Sequence, residues 1–345
     1  MTILIFGGVG FIGTNICKLA IEQGHKVLAF DNLMRPGVTE NLEFLQKQKN
    51  FQFFYGDMRN REDFKNLPKN IDGIINVGGN ASVPKSIFDP KLDFESNILG
   101  QFNILEFSRT NGKIPVIFAS SSKVYTDKIN NVRLGGTQLR YKVEDKKFLA
   151  GFDEYTDVDG VDGYTNSFYG VSKLAAEKYS REYFKHFEVP VVINRMSCIY
   201  GLFQKGTEDQ GWVDWFIRAK KHKKTITIYG DGKQVRDVLW GTDLAELYLT
   251  QLKNIKKYQG KVFNVGGGPK EGFNISLLEL IQLLDENYPG SKIKVKFKSW
   301  RPSDQKFYIS DINKLTKITN WRPKTKIAEG VQKIWLNMTS SYHGR

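Results

Sequence analysis

Tyr169 and Lys173 stand four positions apart in Ser167-Phe-Tyr-Gly-Val-Ser-Lys173, and Ser121 precedes them. On a helix this spacing sets phenol and ammonium one turn apart on the same face. A buried ammonium beside a phenol favours the phenolate, which would draw the tyrosine pKa from about 10 toward neutrality and let the oxygen take and return a proton. A serine hydroxyl nearby would complete a hydrogen-bonding site for an alcohol or sugar oxygen. On its own, Tyr-x-x-x-Lys describes an ordinary surface helix equally well, so its meaning depends on the elements that would position it.

Those elements begin at the N-terminus. An apolar run at 3–6 ends in Gly7-Gly-Val-Gly10-Phe-Ile-Gly13, a helical pattern follows over 15–23, and a second apolar run at 27–30 ends at Asp31. Strand, glycine turn, helix, strand and acid in that order form a dinucleotide-binding fingerprint. The glycines let backbone amides approach a pyrophosphate at the positive end of the helix. Asp31 would accept hydrogen bonds from the adenosine ribose, which favours NAD, while Arg35 leaves NADP open.

The alternation continues as a doubly wound sheet requires. Strands are predicted at Phe51–Tyr55, 71–77, 116–119 and 191–195, and helices at 97–109 and from Ser167 to about 186. Asp57 either reaches an adenine amino group or caps a helix over 62–67. The small residues Gly78, Gly79, Asn80 and Ser82 follow one strand, and Ser120, Ser121, Ser122 and Lys123 follow another. Side chains at the carboxyl end of parallel strands face the ligand crevice. Residues 126–165 are polar and too long for an ordinary connection, and read as an active-site flap or excursion.

Beyond 200 the pattern becomes mixed. A helix is predicted at Trp212–Lys221, a strand at 225–229, a hairpin-type turn at 230–232, and a strand end and helix within 237–252. Another strand follows at Val262–Val265, a helix at 275–286 and an exposed strand at 292–298. The predicted class is α/β, a Rossmann-type doubly wound parallel sheet with a smaller, discontinuous α+β substrate domain. The dinucleotide domain would take 1–200, rejoined by about 233–265; 201–232 and 266–345 would form the other.

Composition sets further bounds. The 345 residues carry a formal net charge of +14, with lysines spread through the chain rather than gathered in one block. That argues for a solvated surface with some pull on phosphate-bearing ligands, and against nucleic acid or membrane as partners. Two unpatterned cysteines, Cys17 and Cys198, suggest a reducing compartment. The four histidines, His25, His186, His222 and His343, are too scattered for a metal site. Met1 and Thr2 run straight into the first strand, so no signal peptide is expected, no apolar run reaches membrane-spanning length, and a cytoplasmic location is anticipated.

The chain resembles the extended short-chain dehydrogenase/reductase superfamily, the nucleotide-sugar epimerases and dehydratases. Gly7, Gly10, Gly13, Asp31, Ser121, Tyr169, Lys173 and the Asn194-Arg195 pair fall in family order along essentially its whole length. Within that superfamily it is most similar to epimerases acting at C2 of a CDP-sugar. The motifs are Asp31-Asn-Leu-Met-Arg-Pro-Gly37 with Asn41, Asp93-Phe94-Glu95-x-Asn97, Ser121-x-Lys123-Val-Tyr125, and Arg195-Met-Ser-Cys-Ile-Tyr-Gly201. Gly206-Thr-Glu-Asp-Gln-Gly-Trp-Val213 and Ile226-Thr-Ile-Tyr-Gly-Asp-Gly-Lys-Gln-Val-Arg-Asp-Val238 complete them. The resemblance implies catalysis by Ser121, Tyr169 and Lys173. It implies a tightly held NAD contacted by Gly7, Gly10, Phe11, Ile12, Gly13, Asp31, Asn32, Asp57, Met58, Gly78, Gly79, Asn97, Ser120, Tyr169, Lys173 and Met196. A nucleotide-diphosphate sugar, with a CDP-sugar favoured, would meet Asn80, Ser82, Ser121, Ser122, Lys123, Gln210, Gly211, Val213, Tyr229, Gln234, Arg236, Arg301 and Asp304. No metal is implied, and the chain would pair as a homodimer or a dimer of dimers.

Guanidinium groups at Arg236 and Arg301 suit a pyrophosphate, or are surface charge. Trp212 and Trp300 stack on a base or belong to a core. The chain departs from the family where Asn80 replaces an expected Gln and Thr126 an expected Gly, and over 128–165 outside 153–163. Two other activities share the catalytic residues: a UDP-sugar 4-epimerase, and a non-catalytic relative that binds NAD or RNA. A 4,6-dehydratase would need an acid pair where Ser122 and Lys123 stand.

Overall fold

The computed structural model describes residues 1–158, 167–301 and 304–340, which form two units. The first comprises Met1–Val124, Ser167–Met196 and Gly241–Phe263. Its strands β1 (Thr2–Phe6), β2 (Lys26–Asp31), β3 (Phe51–Tyr55), β4 (Gly73–Asn76) and β5 (Val116–Ser121) join Val191–Met196 and Val262–Val265 in a seven-stranded sheet. The spatial order is Val262–Val265, Val191–Met196, β5, β4, β1, β2, β3. β1 pairs in parallel with β2 and β4, and β5 in parallel with β4 and Val191–Met196. Order and direction are those of a Rossmann-type sheet.

Near-continuous apolar runs build this sheet because parallel strands are buried on both faces. Leu4, Phe6, Leu28, Phe30, Ile74 and Val116 form the core with Ile104 and Leu105 of the Gly100–Thr110 helix. Helix α1 (Phe11–Glu22) packs on the Gly241–Lys253 helix, and Gly100–Thr110 packs on Phe168–Phe187. Each fully buried Leu, Ile or Phe contributes about 1.5–3 kcal/mol, so this shared core holds the strand ends that carry the site. The helix predicted at 97–109 starts earlier: Pro90–Asp93 is α-helical, Phe94–Leu99 is a π-turn, and Gly100–Thr110 is again α-helical. Asn97 therefore lies within the π-turn, a distortion that recurs at functional sites.

The second unit comprises Tyr125–Asn166, Ser197–Trp240 and Asn264–Arg345. Strands Cys198–Tyr200, Val235–Trp240, Asn274–Ser276 and Phe307–Tyr308 form one mixed sheet. Its helices Trp212–Lys221, Leu277–Asn287 and Ile327–Ser340 enclose a core of Phe216, Ile217, Ile228, Trp240, Leu280 and Val331.

Three expectations are corrected here. First, residues 126–158, expected as a flap or excursion of the first domain, belong to the second unit; second, so do 197–200 and 233–240, expected in the first. Phe152 stacks on Tyr308 at 5.7 Å, the Tyr141 hydroxyl donates to Asp231 at 2.5 Å, and Arg140 pairs with Glu279 at 3.4 Å. The polar composition of the segment concealed Tyr125, Ile129 and Phe152, which form a buried cluster with Val235, Phe307 and Ile309. Residues 159–165 of the expected flap lie outside the described residues, as does His343. Third, the 230–232 turn is not a hairpin: Ile226–Tyr229 pairs in parallel with Val295–Lys298, whereas Val235–Trp240 joins the other sheet.

Among the described residues no helix is long and apolar enough to cross a membrane, and no group of three or more His, Cys, Asp or Glu could hold a metal.

Candidate active site

The glycine turn comes first. A Cβ added at Gly13 would lie 2.1 Å from the Gly7 carbonyl oxygen, and one at Gly7, where φ is +72°, would lie 2.8 Å from Gly78 Cα. No side chain caps α1 at Gly10, so its first-turn amides remain for an external acceptor. Asp31 ends β2, accepting from Leu33 N at 2.9 Å and Val9 N at 3.4 Å. Burial pushes its carboxyl up, against the pull of those amides and of Arg35. Asp57 accepts from Asn32 at 2.9 Å and is gripped twice by Arg59, at 2.9 and 2.7 Å. The helical turn Arg61–Asn66 is capped by Asn60, so Asp57 does not cap it and stays beside the fingerprint. Met58 lies under Gly78 and Gly100. An uncapped helix start, a turn too tight for any Cβ and an acid at the second strand end fit a dinucleotide.

Tyr169 and Lys173 sit on the first turns of the Phe168–Phe187 helix, which Ser167 caps by accepting from Gly170 N at 3.1 Å. Ser121 is the last residue of β5, and its hydroxyl lies close enough to the Tyr169 phenol to pull the phenol's pKa down. The Lys173 ammonium donates to the Ala119 carbonyl at 3.0 Å and lies 5.1 Å above the Phe118 ring. The electrostatics correct the sequence argument. Burial raises the Tyr169 pKa and Asp93 adds to the rise, while the Ser121 hydroxyl and Arg35 oppose it. Burial likewise pulls Lys173 down to about 8, against the attraction of Asp93 and Glu177. Desolvation is the largest influence on both groups, so without cofactor burial favours the protonated phenol.

Around this pair is a buried polar shell. The Asn97 amide donates to the Ser172 hydroxyl at 2.9 Å and to the Asn80 carbonyl at 3.2 Å, while its Oδ1 is buried without a partner. Gly79, at φ +122°, approaches it so closely that a Cβ would lie 2.2 Å from that oxygen. Asn80 donates to Asp93, and the Ser172 hydroxyl lies 3.4 Å from the same carboxylate and 2.9 Å from the Tyr169 carbonyl. Ser120 does not offer its hydroxyl to a ligand: it donates to Glu177, which forms an ion pair with Arg195 at 2.8 Å. The Ser82 hydroxyl is engaged in capping Val83–Phe88. Ser122 is buried and Lys123 half-buried in the turn after β5, and Met196 Sδ accepts from Tyr248 at 3.0 Å.

In the second unit the structure gathers most of the expected sugar-nucleotide residues. The Arg301 guanidinium lies 4.0 Å from the Tyr229 ring centre and reaches Asp209 at 3.2 Å. Arg236 pairs with Asp304 at 2.7 Å, and Gln234 donates to the Tyr229 carbonyl at 2.8 Å with its own Oε1 buried and unpartnered. Gln210 and Gly211 lead into the Trp212–Lys221 helix, whereas the Val213 side chain belongs to the apolar core. Trp212 packs edge-on against Phe216 in that core, and Trp300 is partly exposed over Gly230. Asp93 and Glu177 are the site-lining residues to which sequence reasoning gave no role. Glu177 could have been found, since it falls one turn beyond Lys173 on the same helical face.

Residues 3–266 match the NAD dependent epimerase/dehydratase family. The chain belongs to that family and is an NAD-dependent enzyme. It is 39% identical to CDP-paratose 2-epimerase of Salmonella typhi, over 99% of this chain and 100% of that protein. It is 28% identical to UDP-glucuronate 4-epimerase of Thermodesulfobacterium geofontis, over 96% of this chain and 94% of that one. Among solved structures it matches a UDP-glucuronic acid 4-epimerase variant from Bacillus cereus in complex with UDP-4-deoxy-4-fluoro-glucuronic acid and NAD. There the TM-score is 0.80 at 26% identity, over 99% of this chain and 100% of the other.

Proposed function

We propose that the protein is a nucleotide-sugar epimerase converting CDP-paratose to CDP-tyvelose by inversion at C2, a step suited to lipopolysaccharide O-antigen assembly. The supporting observation is the buried grouping of the Ser121 hydroxyl with the Tyr169 phenol, one helical turn from Lys173, in a chain 39% identical end to end with a CDP-paratose 2-epimerase. Gly7, Gly10, Phe11, Ile12, Gly13, Asp31 and Asn97 would hold NAD. Once bound, NAD supplies a reversible hydride acceptor with a positively charged ring.

Tyr169 takes the proton of the C2 hydroxyl and later returns one to the same oxygen. Ser121 holds that oxygen by hydrogen bonding, first as hydroxyl and then as ketone. Lys173, still protonated near neutrality, stabilises the ionised phenol. The ketosugar turns between the two half-reactions and is reduced on its other face, so no net oxidation occurs. Arg236 and Arg301 suit the diphosphate and Tyr229 the base. Ser122 and Lys123 follow Ser121 where a dehydratase would need an acid pair, which favours epimerisation. The exposed Phe168, Val171 and Tyr179 on the Phe168–Phe187 helix would meet a second copy, which light scattering would register as a dimer.

The test is incubation with CDP-paratose deuterated at C2, read by NMR. Inverted C2 with deuterium retained is the expected product. Inversion at C4 of a UDP-sugar, with CDP-paratose unchanged, would replace this reading with a UDP-sugar 4-epimerase.

A further inference from the structure

Asp93 is 1% exposed and stands at the entry to the π-turn. Its two oxygens face separate parts of the first unit: Oδ1 accepts from the Asn80 amide nitrogen, and Oδ2 lies 3.4 Å from the Ser172 hydroxyl, which also reaches the Tyr169 carbonyl at 2.9 Å. Asn80 lies in the loop after β4, where its neighbour Gly79 would bring a Cβ to 3.8 Å from Lys173 Nζ. Ser172 adjoins Lys173 on the helix. The carboxylate thus lies between the loop and the Tyr169–Lys173 turn.

An ionised carboxylate only accepts hydrogen bonds, whereas a side-chain amide offers either an N–H group or an oxygen. Facing Asp93, the Asn80 amide must present its nitrogen. Its Oδ1 is therefore turned away, and among the described residues nothing donates to it. Asn80 is half-buried, so that oxygen remains accessible. A freely rotating asparagine would offer donor and acceptor equally, but this one is fixed as an acceptor.

We propose that Asp93 is a positioning residue that locks the Asn80 amide with its oxygen outward, making Asn80 a dedicated acceptor for one hydroxyl of the sugar. The inference rests on the epimerase reading. It assigns discrimination among sugars to a pair outside Ser121, Tyr169 and Lys173. A site built to accept from a hydroxyl rejects a sugar lacking it, because the oxygen is then left unpaired.

The test is titration calorimetry of the NAD-loaded protein with CDP and CDP-glucose, and in parallel with UDP and UDP-glucose. Asp93→Asn, Asn80→Ala and the double variant are compared with wild type. Each single substitution is expected to weaken the sugar nucleotide about tenfold, the worth of one hydrogen bond, while the bare nucleotide changes less than twofold. The double variant should be no weaker than the poorer single one, since both act through one oxygen. Bare-nucleotide affinity also reports folding, and Asn80→Ala tests the acceptor should Asp93→Asn misfold. Equal weakening of nucleotide and sugar nucleotide, additive losses, or unchanged affinity would each overturn the inference. Wild type that binds neither pair overturns both this inference and the epimerase reading. A sugar-specific loss in a protein that leaves CDP-paratose unchanged keeps the inference and removes only the proposed substrate.

Discussion

Replacing Lys173 with methionine should abolish turnover yet make the cofactor-free protein more stable at neutral pH. The Lys173 amine is pulled down to about 8 from 10.5 by burial. At about 1.4 kcal/mol per pKa unit, keeping it protonated in the fold costs on the order of 3 kcal/mol. Methionine keeps the apolar stem against Phe118 and removes that cost, but forfeits the hydrogen bond to Ala119, worth about 1 kcal/mol. The expected net gain at pH 7 is about 1–2 kcal/mol. Between about 8 and 10.5 the unfolded chain binds a proton that the folded protein lacks, so wild-type stability rises with pH across that window. The advantage of Lys173→Met should therefore be constant below about pH 8 and shrink by roughly 2 kcal/mol by pH 9.5. Urea unfolding of both proteins at the two pH values measures it. A variant less stable than wild type at pH 7, with a difference that does not change with pH, would refute the reasoning.

Tyr169→Phe should lower kcat by about 100- to 10,000-fold while the NAD released on acid denaturation stays stoichiometric. Glu177→Leu removes the carboxylate that pairs with the buried Arg195 guanidinium, and should cost about 3–5 kcal/mol in urea unfolding. The pair Glu177→Leu with Arg195→Met should recover most of that loss. Arg301→Met, which removes the stack on Tyr229, should weaken CDP binding about tenfold by calorimetry and leave NAD content unchanged.

Much of the first unit was legible because its signals are local. The apolar runs of β1 and β2, the spacing of Gly7, Gly10 and Gly13, and Asp31 at a strand end lie within one short stretch of chain. The Tyr169–Lys173 turn needed only helical periodicity. What could not be read depends on distant partners. The turn at 230–232 has hairpin residues, but strand pairing is decided by Val295–Lys298, far along the chain. Residues 125–158 are polar on average, and only the fold shows that Phe152 meets Tyr308. The protonation of Tyr169 was misjudged for a similar reason: spacing brings an amine near the phenol, but the water excluded around both is a property of the packed core.

The π-turn at Phe94–Leu99 has a further consequence, for how the site can evolve. One residue beyond the regular repeat rotates the helix on its N-terminal side by about 100° relative to the helix on its C-terminal side. Asp93 and the core-facing Ile104 and Leu105 are thereby uncoupled in phase along one continuous rod. Substitutions that retune the polar end need not disturb the apolar end, whereas deleting a single residue there would force both onto one clock.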